Sequence, residues 1–148
     1  MSHRLLRRAI EDTLRAEGVA PRAVEVSVAL IDDAAMRDLN ARYRGIDNPT
    51  DVLSFSQESE VTIPGAPKLL GDVVISLDTA VTQATAGNRT LDGEVTFLAI
   101  HGVLHLLGYD DATEQGYAEM ARKGTEIWQR LHAATPESGH PHARSHDE

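Results

Sequence analysis

The sequence predicts a single domain in which helices and strands pack in layers, in an α+β or α/β arrangement. A chain of 148 residues, of which 41% are hydrophobic, is long and apolar enough to bury one core. Several segments repeat apolar residues with the helical period, shorter ones have the composition of strands, and the two kinds interleave. We expect the domain to cover residues 1–134 and the polar remainder, residues 135–148, to be a disordered tail.

The first two predicted elements are an amphipathic helix and a strand. Apolar residues recur at helical spacing from Leu5 to Leu14, and Gly18 then favours the end of the helix. Residues 23–31, AVEVSVALI, are rich in valine, and their apolar side chains alternate with Glu25 and Ser27. This alternation indicates a strand with one face covered by apolar neighbours.

A second helix and two further strands are expected next. Asp32 or Asp33 can cap a helix that Gly45 ends. Residues 52–55 and 69–76 have the composition of strands, and the segment between them contains proline and glycine. The two strands can pair as a hairpin, although the loop is long.

Three helices complete the predicted domain. Asp78 can cap a short helix that runs to Gly87, and Thr90 can cap the next one. This next helix is apolar on nearly every side over residues 95–107, which is typical of a helix inside the core. An apolar stripe over residues 117–131 predicts the final helix.

Composition excludes several classes of protein and of site. No apolar run approaches the roughly 18 residues of a membrane span, and the N-terminus lacks the features of a signal peptide, so we expect a cytoplasmic protein. Because the chain has no cysteine, any metal must be held by His, Asp or Glu. The formal net charge of −9 argues against tight nonspecific binding to nucleic acid. The net charge does not exclude a local basic patch, because arginines cluster near the start of the chain: Arg4, Arg7, Arg8, Arg15 and Arg22.

The predicted core helix carries a candidate metal site. His101 and His105 are four residues apart, so both imidazoles project from one face of the helix and can bind one ion. Gly108 can adopt a positive φ and turn the chain back, which places Asp111 to supply a third ligand. The pattern H-x-x-x-H-x-x-G-x-x-D therefore predicts one mononuclear site, with zinc as the preferred ion, used for hydrolysis.

Zinc metalloproteases share this spacing as H-E-x-x-H-x-x-G-x-x-H, but the present sequence differs at two positions. Gly102 replaces the glutamate that serves as general base, which argues against peptide hydrolysis by that mechanism. Asp111 replaces a histidine ligand. A carboxylate also binds zinc well, but it adds negative charge to the site.

Other assignments compete for the same residues. A lone histidine in an apolar helix is more often a hydrogen-bonded core residue than a metal ligand. Asp111 together with Glu114 resembles a capping box for the last helix, and Asp110 can compete as the ligand. Histidines in the tail can also bind metal, but their proline-rich, polar surroundings argue against a native site: His140, His142 and His146.

Three segments, in order, resemble the YbeY family of endoribonucleases, the bacterial rRNA maturation factors. They are YRGIDNPTDVLSF (43–55), LGDVVIS (70–76) and HGVLHLLGYD (101–110), and the likeness runs from about Val24 to Leu131. The resemblance implies an α+β fold, with a small mixed sheet of three or four strands packed with about five helices. It also implies a zinc ion at the end of the buried helix. The implied activity is single-strand-directed cleavage of RNA in 16S rRNA maturation and ribosome quality control.

The resemblance assigns roles to particular residues. His101, His105 and position 111 match the family's metal ligands, with aspartate in place of histidine at position 111. Arg44 matches its functionally important arginine, which can bind a phosphate and stabilise the charge that develops in phosphodiester cleavage. Without the resemblance, a solvated arginine at a helix C-terminus explains Arg44 equally well. Arg44 and His101 are the candidate catalytic residues, and Ser56 stands where the family usually has proline.

The resemblance implies partners, and the residues leave rival functions open. The implied partners are rRNA and the small ribosomal subunit, with ribosomal proteins or an assembly GTPase, and neither DNA nor a membrane. Nickel, cobalt and manganese also suit His and Asp ligands and can replace zinc. One rival is a ribosome assembly factor whose metal is structural, and the other is a metallopeptidase-like hydrolase.

Overall fold

The computed structural model describes residues 2–57 and 64–133, and it has the α+β architecture that the resemblance implies. Within these residues, five α-helices and a short 3-10 turn, Pro21–Ala23, pack around a sheet of three strands. The expected tail, with its three histidines, lies outside the described residues. The helices are α1 His3–Ala16, α2 Asp33–Arg44, α3 Leu77–Ala86, α4 Leu91–Leu106 and α5 Glu114–Ala133, and the strands are β1 Val24–Ile31, β2 Val52–Ser56 and β3 Lys68–Ser76.

The sheet is mixed, with β3 at its centre. β3 runs parallel to β1 and antiparallel to β2, so the predicted hairpin is confirmed. In that hairpin Leu53 lies opposite Val74. In β1 the valines are partly buried whereas Glu25 and Ser27 are exposed, as the alternation predicted.

α4 is the central helix of the domain. Its residues from Gly93 to Leu104 are all buried, which confirms the helix predicted to lie in the core. One side of α4 packs on β2 and β3, and the other packs on α5, where Leu104 belongs to the same apolar cluster as Met120 and Trp128. None of the helices described over residues 2–57 and 64–133 is both long enough and apolar enough to cross a membrane.

Gly102 allows α4 to approach the sheet closely. A Cβ atom at this position would lie 2.5 Å from Cγ1 of Val73 in β3 and 3.3 Å from Oγ of Ser54 in β2. Any larger side chain would push the helix away from the strands. Ser54 Oγ also donates a hydrogen bond to the Gly102 carbonyl at 2.9 Å. The C-terminal half of α4, with both histidines, is therefore fixed beside β2.

Two predicted helix caps are confirmed. Asp32 Oδ1 accepts a hydrogen bond from the Ala35 backbone N–H at 2.8 Å, and Gly45 ends α2 with a φ of 71°. Thr90 Oγ1 accepts from the Gly93 N–H at 3.0 Å and caps α4. These positions follow local chemistry, which is why the sequence alone indicated them.

The predicted cap of α3 was wrong. Ser76, rather than Asp78, is the cap, because its Oγ accepts a hydrogen bond from the Thr79 N–H at 3.3 Å. Asp78 lies within the first turn, where its carboxylate accepts from the Asp33 N–H at the start of α2 at 2.9 Å. β3 ends at Ser76 and α3 begins at the next residue, so the last residue of the strand takes the capping position.

Candidate metal centre

The C-terminal half of α4 brings His101 and His105 to one side of the helix. Their rings are arranged edge to face with centroids 6.1 Å apart. His101 is only 8% exposed, whereas the side chain of His105 is 36% exposed. Just beyond the helix, Gly108 has a φ of 105°, a conformation that favours glycine and that the sequence analysis expected here.

Asp111 lies in the loop between α4 and α5 and faces both histidines. Its Oδ2 is 3.8 Å from Nε2 of His101, and its Oδ1 is 3.7 Å from Nε2 of His105. These separations are too long for hydrogen bonds. The Asp111 side chain is 15% exposed, so its carboxylate is largely withdrawn from solvent. The three residues that the sequence proposed as ligands are thus brought together by the fold.

The second ring nitrogen of His105 has a different neighbour. Nδ1 lies 2.7 Å from the backbone carbonyl oxygen of Tyr109. Because a carbonyl oxygen only accepts hydrogen bonds, Nδ1 must carry the proton and donate it. In a neutral ring, Nε2 then keeps its lone pair, and this is the atom that faces Asp111. Such a bond to the distal nitrogen is the usual way in which a metal-binding histidine is oriented.

Two imidazoles and a carboxylate are a donor set that suits a divalent ion such as zinc. In a tetrahedral site with bonds of about 2.0–2.1 Å, neighbouring ligand atoms lie about 3.3 Å apart. The separations of 3.7 and 3.8 Å observed here are a few tenths of an ångström wider. As they stand, no three His, Cys, Asp or Glu side chains within residues 2–57 and 64–133 are arranged so that they could hold a metal ion. Binding of an ion would require Asp111 and the two imidazoles to move closer together.

The structure tests two alternatives raised by the sequence, helix capping by Asp111 and metal ligation by Asp110. Thr113 Oγ1 accepts a hydrogen bond from the Gly116 N–H at 3.0 Å at the start of α5, so the capping box expected from Asp111 and Glu114 is wrong. Asp110 Oδ1 accepts from the Ala112 N–H at 2.9 Å. Helix capping therefore does not occupy Asp111, and its role as a ligand stays a prediction.

Tyr109 has a role at this site that the sequence pattern did not indicate. Its hydroxyl donates a hydrogen bond to Oε1 of Glu17 at 2.7 Å, and Glu17 also pairs with Lys123 of α5 at 3.4 Å. Burial, and next the hydrogen bond to Glu17, raise the pKa of Tyr109 to about 12. The residue that orients His105 is therefore itself anchored to α1. Its contribution comes from a backbone carbonyl, which no side-chain motif reveals.

Position 102 explains why the general base of the metalloproteases is absent. The Cα of Gly102 faces Val73 and Ser54 of the sheet, so a side chain here would point away from solvent and into packed neighbours. Glutamate at this position would have to be buried against β2 and β3, and it would prevent the close approach of α4. The close packing of α4 on the sheet therefore requires glycine where the proteases have glutamate.

Arg44 is the other candidate catalytic residue that the resemblance proposed. It ends α2 and lines a cavity of about 440 Å³ formed with Ile46, residues 48–51 and α3. Its Nη1 is 3.4 Å from Oδ1 of Asn40. His101, His105 and Asp111 are not among the residues that line this cavity. The catalytic role expected for Arg44 stays a prediction.

Comparison with known proteins identifies the family. A profile of the family described as endoribonuclease YbeY matches residues 1–132. The chain belongs to the endoribonuclease YbeY family. The endoribonuclease YbeY of Moorella thermoacetica is 51% identical over 128 residues, which cover 82% of this chain and 81% of the relative. That of Pelotomaculum thermopropionicum is 50% identical over 129 residues, covering 86% and 84% of the two chains.

A solved structure supports the architecture of this YbeY family member. A protein of Thermotoga maritima, known from a solution structure, is 28% identical to it with a TM-score of 0.59. The match covers 87% of this chain and 80% of that protein. The family predicted from three sequence segments is therefore confirmed, together with the α+β fold.

Proposed function

We propose that this protein is a zinc-dependent endoribonuclease that cleaves single-stranded RNA in the cytoplasm, in 16S rRNA maturation and ribosome quality control. Its relatives are named endoribonuclease YbeY. The observation that carries the proposal is the convergence of Asp111 on Nε2 of His101 and of His105, at 3.8 and 3.7 Å. Three protein ligands would leave one position of a tetrahedral zinc ion open, which is typical of catalytic rather than structural sites. Nickel or another divalent ion can take the place of zinc.

The chemistry divides between the ion and the chain. A divalent ion in this position would supply Lewis acidity toward a phosphate oxygen and would activate water. In its neutral form, His105 donates Nδ1–H to the Tyr109 carbonyl, which leaves the lone pair of Nε2 for an ion. His101, which is buried, shields one side of the site from bulk water. Arg44 binds the RNA phosphate through its paired N–H groups and stabilises the charge that develops as the phosphodiester P–O bond breaks.

The charge of the molecule bears on its partners. With a formal net charge of −9, the protein needs a local basic surface or an assisting partner to hold RNA. α1 offers such a surface, because Arg4 and Arg7 are exposed and form no ion pair within residues 2–57 and 64–133. We propose that binding occurs on the small ribosomal subunit, where ribosomal proteins or an assembly GTPase contribute contacts.

Metal content and RNA cleavage, measured on the same protein preparations, test this function. Elemental analysis of the native protein should give about one zinc per chain, as expected for a mononuclear site. His105→Ala and Asp111→Ala should each lose both the metal and the cleavage of a structured rRNA precursor. Asp110→Ala is the matched control, because Asp110 bonds the Ala112 N–H instead of facing the histidines, and it should keep both properties. Full metal content in Asp111→Ala would contradict ligation by this residue.

A second function is favoured by one observation, the packing of Gly102 against the sheet. Because no carboxylate base can occupy this position, the metal could serve folding and ribosome binding alone. In that case, chelation would lower the melting temperature and abolish ribosome binding, and purified metal-loaded protein would leave the rRNA precursor intact. The same packing argues against a metallopeptidase that uses a glutamate base.

A further inference from the structure

A polar cavity lies between the C-terminus of α2, Ile46 with residues 48–51, and α3. Its volume is about 440 Å³, and Arg44 forms part of its wall. Of the residues that line this cavity, only Arg44 takes part in the cleavage chemistry proposed above. Amide, hydroxyl and carboxylate groups provide most of the remaining lining: Asn40, Asn48, Thr50, Asp51, Thr79 and Gln83.

Two of the lining side chains are deeply buried and held in place. Asn40 is 2% exposed and Asp51 is 3% exposed. Nδ2 of Asn40 donates a hydrogen bond to the Asn48 carbonyl at 2.7 Å. Asp51 Oδ1 accepts from the Val52 N–H at 2.8 Å, and its Oδ2 accepts from Nε2 of Gln83 at 3.3 Å. The hydrogen-bonding surface of the cavity is therefore organised before any ligand binds, which reduces the entropic cost of binding.

Arg44 is the cation in this lining. Its side chain is exposed and contacts Oδ1 of Asn40 at 3.4 Å. A guanidinium has five N–H donors and can bind a phosphate with two of them at once. A phosphate-binding cation next to a pocket of hydrogen-bonding groups matches one nucleotide of a single strand, whose unstacked base can be recognised by its edge.

We infer that this cavity binds one unstacked base of the RNA strand, with Arg44 on the adjoining phosphate. The inference rests on the proposed function, because that function supplies RNA as the ligand. Asp51 leads directly into β2, and Ser54 of β2 donates its hydrogen bond to Gly102, the residue after His101. At about 3.3 Å per strand residue, the cavity lies about 10 Å along β2 from the helix that carries the histidines. The bound base therefore belongs to a nucleotide near the cleaved bond.

Asp51 indicates which bases are preferred. Carboxylate oxygens accept hydrogen bonds, so Asp51 favours a base that presents an amino group. Cytosine, adenine and guanine each carry one, whereas uracil does not. The cavity is therefore expected to prefer each of these three bases, cytosine included, to uracil.

Binding of two short RNA strands tests the inference. One labelled strand consists of about ten uridines, and the other carries a single cytidine at its centre, a length that a small single-strand site covers. Fluorescence anisotropy with metal-loaded native protein should give tighter binding of the strand with cytidine. Asn48→Trp, which fills the cavity from an exposed position of its wall, should bind that strand roughly tenfold more weakly and lose the preference.

Asp47→Trp is the matched control, because Asp47 is adjacent, its side chain is 74% exposed, and it does not line the cavity. This variant should bind both strands as the native protein does. The inference is overturned if native protein binds the two strands equally, a result that needs no variant, or if Asn48→Trp behaves like native protein.

Cleavage is followed on gels from the same samples, which separates the two proposals. Cleavage without any base preference would overturn the base pocket alone. If the native protein shows the base preference and Asn48→Trp loses it, but the native protein cleaves neither strand, the endoribonuclease proposal alone would be overturned.

Discussion

Tyr109 connects the candidate metal centre to the rest of the domain through two of its atoms. Its backbone carbonyl accepts the Nδ1–H of His105, and its hydroxyl donates to Glu17 at 2.7 Å. Glu17 is in turn paired with Lys123 of α5. The start of the loop that carries Asp111 is therefore held from two helices, which restricts the movement available for closing on an ion.

Tyr109→Phe should lower the free energy of unfolding by about 1 kcal/mol at neutral pH, because it removes one hydrogen bond. It keeps the backbone carbonyl that orients His105. The folded protein raises the pKa of Tyr109 from 10.0 to about 12, mainly by burial. A raised folded pKa means that this stabilisation is complete below the unfolded value and is lost as the pH rises through the folded value.

Urea unfolding of native protein and Tyr109→Phe, from neutral pH to about pH 12, checks this expectation. The stability gap between the two proteins should narrow across the upper part of that range. Tyr43→Phe is the control, because it removes a hydroxyl from a side chain that is 64% exposed, and it should cost little at neutral pH. A gap that stays constant up to the highest pH would show that Tyr109 does not titrate as expected.

Two helix glycines should respond to alanine in opposite ways. At Gly102 a Cβ would lie 2.5 Å from Cγ1 of Val73, so Gly102→Ala should destabilise the protein by about 1–3 kcal/mol through overpacking. At Gly124 in α5 the nearest atom to a Cβ is at 3.9 Å, so Gly124→Ala should stabilise by about 0.5–1 kcal/mol through helix propensity. Thermal and urea unfolding measure both. Equal effects at the two sites would mean that the contact of α4 with the sheet is not tight.

At the scale of elements, the start of α4 is fixed by an ion pair as well as by its cap. Glu94, in the first turn, is 1% exposed, and its Oε1 lies 2.8 Å from Nη2 of Arg89. Arg89 Nη2 also donates a hydrogen bond to the Gln83 carbonyl in α3 at 3.3 Å. One guanidinium thus joins the end of α3 to the beginning of α4, the helix that carries both histidines.

Arg89→Met should therefore destabilise the protein by about 3–5 kcal/mol, because the buried carboxylate of Glu94 loses its cation. The matched control is Arg37→Met. Arg37 pairs with Asp47 at the same distance, 2.8 Å, but the two side chains are 57% and 74% exposed. Its removal should cost far less stability than that of Arg89, because solvent screens an exposed ion pair. Similar losses in the two variants, measured by urea unfolding, would contradict the importance of the buried pair.

At the scale of the whole molecule, exposed arginines on α1 and at the end of α2 offer local positive charge for RNA. Arg8 and Arg15 of α1 lie near Asp12, at 3.9 and 3.1 Å, which offsets part of their charge. Arg7 is exposed, and Arg44 lines the polar cavity. An acidic protein with such local cations should bind RNA through few phosphate contacts and with a modest dependence on salt.

Arg7→Gln and Arg44→Gln should each weaken RNA binding and each reduce the slope of log K against log salt by about 1. Titration of a single-stranded RNA at several KCl concentrations measures both changes. Arg130→Gln is the control, because Arg130 already pairs with Glu126 at 2.8 Å on α5. For Arg130→Gln, the slope of log K against log salt should match that of the native protein. An equal reduction in all three variants would indicate binding to charge in general, without a defined surface.

Much of the fold and of the candidate site follows from local sequence. The alternating valines of β1, the apolar segment of α4 and the caps Asp32 and Thr90 act over a few residues, and the structure confirms each. The two histidines share a helix face because four residues approximate one helical turn. Three sequence segments that occur in the expected order were enough to indicate the family, which the comparisons then confirmed.

Only the tertiary structure decided the features that depend on residues far apart in the chain. Sequence allowed Asp111 to be a ligand or a cap, and the fold turned it toward His101 and His105 while Thr113 took the cap. The close packing of Gly102 on the sheet and the Tyr109–Glu17 bond also join distant segments. Local patterns record the propensities of neighbouring residues, whereas these contacts arise only when helices, loops and sheet are packed together.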